Sequence, residues 1–471
     1  MEKISLSTVL TAAVADTLYF QAFELAVYLR LCDYVIFNSF ILIFFLLKTI
    51  LLFGAGKSAT VLIDYLIVES EKNNWKFIIA DANKEQVLAK TNNSPFAEAV
   101  EVDITNDDDR AKLIQKAHIV ISMMPPALHF LIARDCVEYR KHLLTASYLD
   151  DKIKSLRDEI ADRKLLFLCE MGLDPGIDHM SAMRIIDNIK AKGGNITSFR
   201  SHCGGLVAPE NDDNPWKFKV SWNPRNIVTA GSGGAEYKMN GEIKKIEYIN
   251  LFDEANLITV DGLKEMAYYP NRDSLSYMPV YKLQDAKTFI RTTLRYANFF
   301  KGWRALVHAG LTDDVKIIDP KGLSFAMWSA PVLLHVNNFN RRILFYLGLF
   351  EEEIMVPETA KTSADILQYL IETKLPMRQG NKDMIVMLHE FEYELNGITN
   401  MIKSSLVVRG EDILRTAMAK TVGLPLGIAA KLILTDTIQL TGLHIPIIKE
   451  IYMPVLTELE LAGIRFKEVA S

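Results

Sequence analysis

Gly54 and Gly56 stand in the pattern Gly54-x-Gly56-x-x-Ala59, a spacing that suits binding of the phosphates of a dinucleotide. Gly54 permits a tight turn, Gly56 lets the backbone approach a pyrophosphate, and Ala59 lets the following helix pack closely on a strand. Asp81 ends an apolar segment 25 residues after Gly56, where a carboxylate can accept hydrogen bonds from ribose hydroxyls. Because that carboxylate would repel a 2′-phosphate, these residues favour NAD over NADP.

Asp178 and His179 are a second candidate pair for chemistry, because they directly follow a turn at residues 174–176. The turn is expected to begin a helix with one apolar side. On the first turn of that helix the two side chains could act as general acid and base. Asp178 could equally do no more than favour the helix N-terminus through its negative charge. The residues themselves leave both interpretations open.

The segments that must position these residues alternate between strand and helix from Lys48 onward. Apolar strands that end in small or polar residues are predicted in "KTILLF", "WKFIIADAN", "AEAVEVDIT", "AHIVISMMPP" and "HLLTASYLD". Strand ends of this kind line the ligand crevice of a doubly wound sheet. The sequence therefore predicts an α/β protein with a Rossmann-type dinucleotide-binding domain over residues 48–174.

The rest of the chain predicts a mixed α+β substrate domain with an inserted helical subdomain. Strands of a second, mixed sheet are predicted in "SFRSHCGG", "WKFKVSW", "GEIKKIEYI" and "DMIVMLHEFEYEL". Apolar residues recur at helical spacing in between, which places the helical insertion at 291–374. The substrate domain accordingly covers 175–290 and 375–430.

Residues 1–47 precede the first strand and contain the apolar stretch "YVIFNSFILIFFLL", from Tyr34 to Leu47. At about 14 residues this stretch is shorter than the roughly 20 that a membrane-spanning helix needs. Three interpretations remain: a start codon upstream of the true one, an additional packed or flexible helix, or a membrane anchor. A chain that begins at Leu47 is expected to stay soluble and to bind its cofactor.

The amino-acid composition limits the classes of function that this protein can have. A net charge of −5 gives no basic footprint for nucleic acid, and 49% hydrophobic with 24% charged residues is typical of a globular protein. The four cysteines are scattered, without a Cys-x-x-Cys pair or clustered histidines, so neither a disulfide framework nor a metal site is predicted. A cytoplasmic protein without nucleic-acid or membrane partners is expected.

Several longer stretches carry a resemblance to a known family, namely "GLDPGIDHMSAM", "SHCGGLVAPENDDNPWKFKVSWNPRNIV", "RTTLRYANFFKGW" and "TGLHIPIIKEIYMPVLTELELAGIRF". From Lys48 onward the chain resembles the saccharopine reductase family, the glutamate-forming saccharopine dehydrogenases. The resemblance implies an NAD(P)-dependent enzyme of lysine metabolism that interconverts saccharopine with glutamate and 2-aminoadipate 6-semialdehyde through an imine. It also implies that residues 431–471 return to the Rossmann domain.

The resemblance places the family's contacts on particular residues of this chain. Its cofactor contacts fall on Gly54, Ala55, Gly56, Lys57, Ala80, Asp81, Ala82, Val102, Asp103, Met123, Ala146, Ser147, Leu173, Asp174 and Pro175. Its substrate contacts fall on Ser147, Tyr148, Asp174, Arg225, Ile246, Glu247 and Tyr248. Asp174 and Tyr148 are the candidates for a catalytic role. Members that use NADP carry an arginine just beyond the second strand, where this chain has "ADAN", so NAD remains the expected cofactor.

The chemistry of saccharopine agrees with two of these residue types. Its three carboxylates suit the planar guanidinium of Arg225, and its secondary amine suits a nearby carboxylate such as Asp174. The expected partner is this amino-acid substrate, with a homodimer as one option for assembly. Two other functions remain open: a sister imine reductase of the carboxyspermidine-dehydrogenase type, and a nucleotide-binding protein without catalysis.

Overall fold

The computed structural model describes residues 47–471, so the interpretations of residues 1–46 lie outside the described residues. The strands are β1 Thr49–Phe53, β2 Lys76–Asp81, β3 Ala97–Glu101, β4 Ile119–Ser122, β5 His142–Thr145, β6 Leu166–Leu168, β7 Asn195–Val207, β8 Ala235–Met239, β9 Glu242–Ile246, β10 Asn256–Ile258, β11 Met266–Pro270, β12 Arg272–Asp273, β13 Thr288–Arg295, β14 Asp383–Leu395, β15 Ile398–Arg409, β16 Gly442–His444 and β17 Lys467–Ala470. The α-helices span Thr60–Asn73, Lys84–Thr91, Asp107–Lys116, Pro126–Glu138, Asp151–Lys154, Arg157–Asp162, Ile177–Ala191, Pro224–Val228, Tyr277–Val280, Ala297–His308, Phe325–Ser329, Arg341–Leu347, Ser363–Lys374, Ala417–Leu434 and Lys449–Leu461.

The first sheet is parallel throughout and has the strand order β16-β6-β5-β4-β1-β2-β3. Every residue of β1 and β4 is buried, as expected for a parallel sheet that helices cover on both faces. Ile50 and Leu52 belong to one apolar core, and Leu51 and Phe53 belong to another. The strand order reverses between β1 and β4, where a doubly wound sheet opens its ligand crevice. The predicted Rossmann-type domain is confirmed.

The second sheet is mixed, as predicted. Its main path is β10-β11-β13-β7-β14-β15-β17, and β8 joins it beside β13. Strand β7 lies parallel to β13 on one side and antiparallel to β14 on the other. The prediction of a strand in "WKFKVSW" is wrong, because within that stretch only Val220 pairs, in an isolated bridge with Pro376. Lys217 has a φ of +54°, which lies outside the extended region of a regular strand, and Trp216 turns into the core of the helical subdomain.

The helical subdomain lies between β13 and β14 and has a core of its own, which includes Trp303, Leu306, Leu344, Leu347, Ile366 and Leu370. Its predicted start at residue 291 differs from the structure, because 291–295 belong to β13 and the first helix begins at Ala297. The segment "TFIRTTLR" is rich in β-branched and aromatic residues, which favour a strand. The helical spacing of apolar residues begins only after this segment.

The chain beyond β15 crosses repeatedly between the two sheets. The helix Ala417–Leu434 packs on the helix Thr60–Asn73 of the first domain. Gly423 permits this close approach, since a Cβ there would lie 3.0 Å from Leu62. The chain then adds β16 to the first sheet and β17 to the second. Although Ala417–Leu434 is long and apolar enough to span a membrane, 78% of it is buried within the protein, as is typical of a core helix.

Candidate active site

The turn after β1 fits a bound dinucleotide. Gly54 has a φ of +97°, and a Cβ there would lie 3.0 Å from the carbonyl oxygen of Met123, so glycine lets β1 end this close to the residue after β4. A Cβ on Gly56 would meet no atom within 4 Å, so the backbone there borders open space. The helical residues that begin at Lys57 have no side-chain cap, which leaves backbone N–H groups for phosphate oxygens.

The Asp81 carboxylate accepts two backbone hydrogen bonds, one of them from this turn. Its Oδ2 accepts from the amide of Ala55 at 2.7 Å, and its Oδ1 accepts from the amide of Asn83 at 2.9 Å. Lys90 donates to the carbonyl oxygens of Ala55 and Gly56, both at 2.6 Å, and burial lowers the pKa of Lys90 to about 8. The Asp81 carboxylate is therefore held at the turn.

The other residues expected at the cofactor lie at the carboxyl ends of the parallel strands. Ala80 and Ala82 flank Asp81, Val102 and Asp103 follow β3, Met123 follows β4, Ala146 and Ser147 follow β5, and Leu173, Asp174 and Pro175 follow β6. Asp103 is exposed and accepts two hydrogen bonds from Thr105, which lower its pKa. All of these positions share the edge of the sheet at which the crevice opens.

Asp174, Asp178 and Arg291 form a buried group that we call the charge cluster. Arg291 Nη2 donates to Asp174 Oδ1 at 2.6 Å and to Asp178 Oδ2 at 2.8 Å, and the guanidinium lies 4.4 Å from the centre of the Tyr277 ring. Burial raises the pKa of Asp174 against the opposing charge of Arg291. Burial also acts to raise the pKa of Asp178, but His179 and Arg291 bring it below its usual value. The Asp174 side chain is 14% exposed and that of Asp178 is 1% exposed, so Asp174 is the carboxylate that a ligand can reach.

Tyr148 links the charge cluster to the edge of the first sheet. Its hydroxyl donates to Asp174 Oδ1 at 3.3 Å, and burial raises its pKa, so the phenol is neutral near pH 7. The guanidinium of Arg272 lies 5.6 Å from the centre of the Tyr148 ring. Arg272 is exposed, and within residues 47–471 no carboxylate lies at ion-pair distance from it. Its guanidinium is therefore available to bind an anion beside Tyr148.

His179 does not face the crevice. The ring is fully buried, with Nε2 2.8 Å from Glu170 Oε2 and Nδ1 hydrogen-bonded to the hydroxyl of Tyr281. Glu170 also accepts from the amide of Leu149 at 3.0 Å. This network fixes the backbone next to Tyr148. The structure therefore disfavours acid–base chemistry for this motif, and Asp178 Oδ1 accepts from the amide of Gly176 at 2.6 Å, as the alternative role at the helix N-terminus expects.

Arg225 and residues 246–248 have other partners. The Arg225 guanidinium pairs with Asp365, which lies in the first turn of a helix of the helical subdomain. The ring of Tyr248 packs edge-on against Phe252, with the ring centres 6.2 Å apart. In the part of the chain that the structure describes, no hydrogen bond or ion pair joins Arg225 or 246–248 to the charge cluster. The structure thus brings Tyr148 and Asp174 together, but not Arg225.

The sequence analysis missed Arg291, Arg272 and Glu170. Arg291 opens the quoted stretch "RTTLRYANFFKGW", but its assignment to a helical insertion removed it from consideration. Arg272 follows the turn-forming pair Pro-Asn, and Glu170 stands four residues before Asp174. Proximity to a turn or to another candidate residue was therefore a sequence signal that could have identified both. The roles of these residues depend on which strands become neighbours, and local patterns do not specify that.

Two family models together match nearly all of the described residues. "Saccharopine dehydrogenase NADP binding domain" matches residues 50–168, and "Saccharopine dehydrogenase C-terminal domain" matches residues 172–464. The junction between the two matches falls just before the turn that carries Asp174. Because the first model describes a nicotinamide-nucleotide-binding domain, it agrees with the crevice described above.

Individual relatives extend this match. The chain is 32% identical over 446 residues to saccharopine dehydrogenase (NADP(+), L-glutamate-forming) of Saccharomyces cerevisiae, which covers 89% of this chain and 99% of that protein. It is 33% identical over 438 residues to the alpha-aminoadipic semialdehyde synthase of Arabidopsis thaliana, 85% of this chain but only 41% of that longer protein. The solved apo structure of saccharopine dehydrogenase (L-Glu forming) from Saccharomyces cerevisiae matches with a TM-score of 0.82 and 30% identity, over 90% of this chain and 100% of that one. The chain therefore belongs to the saccharopine dehydrogenase family.

Proposed function

We propose that this protein interconverts saccharopine with L-glutamate and 2-aminoadipate 6-semialdehyde. Support comes from the family and from the yeast relative of that name, which matches over nearly the whole of both chains. The observation that carries the proposal is the position of Asp174, a reachable carboxylate held between Tyr148 and Arg291 at the edge of the nucleotide crevice. A bound nicotinamide nucleotide would accept or supply the hydride at this edge.

The charges of the substrate suit the residues at this edge. Saccharopine carries three carboxylates and a secondary amine. The free guanidinium of Arg272 would bind one carboxylate through paired hydrogen bonds, because Arg225 is already occupied by Asp365. Asp174 would face the cationic nitrogen, and the neutral phenol of Tyr148 would hold Asp174 in place by donating to it. These side chains bind and orient the reacting carbon, which is the main contribution that a hydride-transfer enzyme makes.

The direct test is turnover of saccharopine by the unmodified protein with each nicotinamide nucleotide. We expect formation of reduced nucleotide, measured by its absorbance, because a reachable carboxylate and an exposed guanidinium border the nucleotide crevice. Asp174→Asn keeps the shape but removes the charge, so turnover should fall while nucleotide affinity stays close to that of the unmodified protein. Nucleotide binding without saccharopine turnover would contradict the proposal. Turnover of carboxyspermidine instead would identify a sister imine reductase, and no turnover of either would indicate a non-catalytic nucleotide-binding protein.

We infer that NAD is the preferred nucleotide. The family model and the yeast relative are both described by their NADP binding, which favours the other choice. The inference rests on Asp81, whose carboxylate is fixed at the end of β2 by the amides of Ala55 and Asn83. A negative charge held at this point disfavours the additional phosphate of NADP, because like charges brought together at a binding site cost several kcal/mol.

The expected result is that NAD binds about tenfold or more tightly than NADP, and that Asp81→Asn narrows this difference mainly by improving NADP binding. The amide oxygen of the variant can still accept from the amide of Ala55 in the turn, whereas the hydrogen bond from the amide of Asn83 is lost. Dissociation constants for both nucleotides, measured by fluorescence titration, check this. Glu71→Gln is the matched control, because Glu71 is an exposed carboxylate near the C-terminal end of the helix Thr60–Asn73, away from the glycine turn, and its replacement should leave the ratio of the NAD and NADP affinities unchanged. Equal affinities in the unmodified protein would refute the role given to Asp81.

A further inference from the structure

Hydrogen-bonded side chains connect the ends of β4 and β5. Ser122 ends β4 and lies opposite Thr145, which ends β5, and His129 comes from the helix Pro126–Glu138 that follows β4. His129 Nδ1 lies 2.7 Å from the Ser122 hydroxyl, and Nε2 lies 2.7 Å from the Ser147 hydroxyl. Ser122, His129 and Thr145 are almost fully buried, whereas Ser147 is partly exposed. The hydrogen bonds thus run from the interior to the crevice.

The place of this chain of hydrogen bonds in the sheet indicates what it borders. The strand order reverses between β1 and β4, and a dinucleotide lies across such a point at the carboxyl ends of the strands. Asp81 occupies the adenosine side, at the end of β2. The opposite side, above β4 and β5, is then the place for the nicotinamide end. Ser147 stands on that side.

The two nitrogens of His129 determine what Ser147 can offer. Burial lowers the pKa of His129 to about 4, so the imidazole is neutral at physiological pH. A neutral imidazole donates from one nitrogen and accepts at the other. The ring therefore decides whether the Ser147 hydroxyl gives or takes a hydrogen bond on its open side. His389 is a useful comparison, because it is also a buried histidine but its Nδ1 has no hydrogen-bond partner among the described residues. A histidine that serves only in packing can leave a ring nitrogen unpaired in this way, whereas both nitrogens of His129 are paired.

We propose that His129 is a positioning residue, which fixes the Ser147 hydroxyl so that it makes one directed hydrogen bond to the nicotinamide end of the bound nucleotide. The proposal rests on the proposed function only in requiring a nicotinamide nucleotide in the crevice. Ser122 serves as the buried anchor that keeps the imidazole from rotating. Ser147 makes the contact, and His129 acts through it.

Two conservative variants distinguish the contributions of the two imidazole nitrogens. The amide of His129→Gln reaches the position of Nε2 and can still bond to Ser147, whereas the shorter amide of His129→Asn reaches only the position of Nδ1 and bonds to Ser122. We expect His129→Asn to weaken nucleotide binding about three- to tenfold, the usual loss for one hydrogen bond, and His129→Gln to stay close to the unmodified protein. The readout is the dissociation constant of whichever of NAD and NADP binds better, by fluorescence titration.

The background variant Ser147→Ala completes the test. In that background His129→Asn should cause no further loss, because its effect passes through the Ser147 hydroxyl. Ser122→Ala removes a single oxygen and should reproduce part of the loss of nucleotide affinity, but only when Ser147 is present. This variant therefore tests the proposal if His129→Asn does not fold. Equal losses for Gln and Asn, additive effects of positions 129 and 147, or unchanged affinities throughout would overturn the proposal. Because nucleotide affinity is the readout, such a failure is distinct from a lack of saccharopine turnover.

Discussion

Arg291→Met is expected to lower the free energy of unfolding by about 3–5 kcal/mol near pH 7, the usual cost of removing one partner from a buried ion pair. The variant leaves Asp174 and Asp178 in a buried site without the cation that both contact. Methionine fills much of the volume of the arginine stem, so the loss reports on charge more than on a cavity. Denaturant unfolding monitored by fluorescence measures it.

The deficit of Arg291→Met should also depend on pH. Without the cation, the pKa of both carboxyl groups rises in the folded state, because the Arg291 charge lowers both in the native protein. The folded variant then binds protons more readily than the unfolded chain does, so the deficit is largest at neutral and alkaline pH. It should shrink as the pH falls toward about 5.

Arg295→Met is the matched control. Arg295 lies on the same strand and is equally buried, but it stacks on Phe218 and Phe299 and, among the described residues, has no carboxylate partner. Its replacement should therefore cost less, with a deficit that does not change with pH. Similar deficits and similar pH profiles for the two variants would contradict the role assigned to the charge cluster.

Arg272→Ala is expected to raise the Michaelis constant for saccharopine about 10- to 100-fold, because a charge-assisted hydrogen bond typically contributes about 1.5–3 kcal/mol. Arg272 is the exposed cation next to Tyr148, and it has the fork geometry that a carboxylate needs. Nucleotide affinity should be nearly unchanged, since Arg272 lies on the second sheet and not at the glycine turn. Steady-state rates at varied saccharopine and a separate nucleotide titration give the two quantities.

Two further variants make the Arg272 prediction sharper. Arg272→Lys should recover little of the loss, because an ammonium cannot supply two parallel hydrogen bonds. Arg225→Ala should change saccharopine kinetics much less, since Asp365 already holds that guanidinium. If Arg225→Ala has the larger effect, then the original assignment of the substrate carboxylate to Arg225 is right and the role proposed for Arg272 is wrong.

The parts of the fold that could be predicted are those that short stretches of sequence determine locally. The glycine turn, the end of β2 at Asp81 and the turn at 174–176 each combine an apolar strand with residues suited to a sharp turn, and such patterns need no knowledge of distant residues. The alternation of apolar and polar residues in "WKFKVSW" is also a local pattern, and it wrongly predicted a strand. A single residue, Lys217, adopts a positive φ there, and the burial of Trp216 in another core outweighs the local preference.

The charge cluster could not be predicted in this way. Arg291 and Asp174 are 117 residues apart, and they meet because β13 pairs on one side with the distant strand β7, besides its pairing with the nearby strand β11. Nothing near Arg291 distinguishes it from Arg295, four residues later on the same strand. Likewise, nothing near Arg225 reveals that Asp365 will neutralise it, because that contact depends on how the helical subdomain folds back. Which arginine remains free for a ligand is thus a property of the tertiary structure.

The path of the chain beyond β15 limits how the two domains can move. Two domains joined by one linker can swing apart like a hinged lid, but here the chain passes from the first sheet to the second after β6, back through the helix Ala417–Leu434 to β16, and again to β17. Strand β16 lies beside β6, whose end leads directly into the Asp174 turn. A wide opening would strip one of these edge strands from its sheet. Closure around a ligand is therefore expected as a small sliding of the packed helices rather than as a wide hinge rotation.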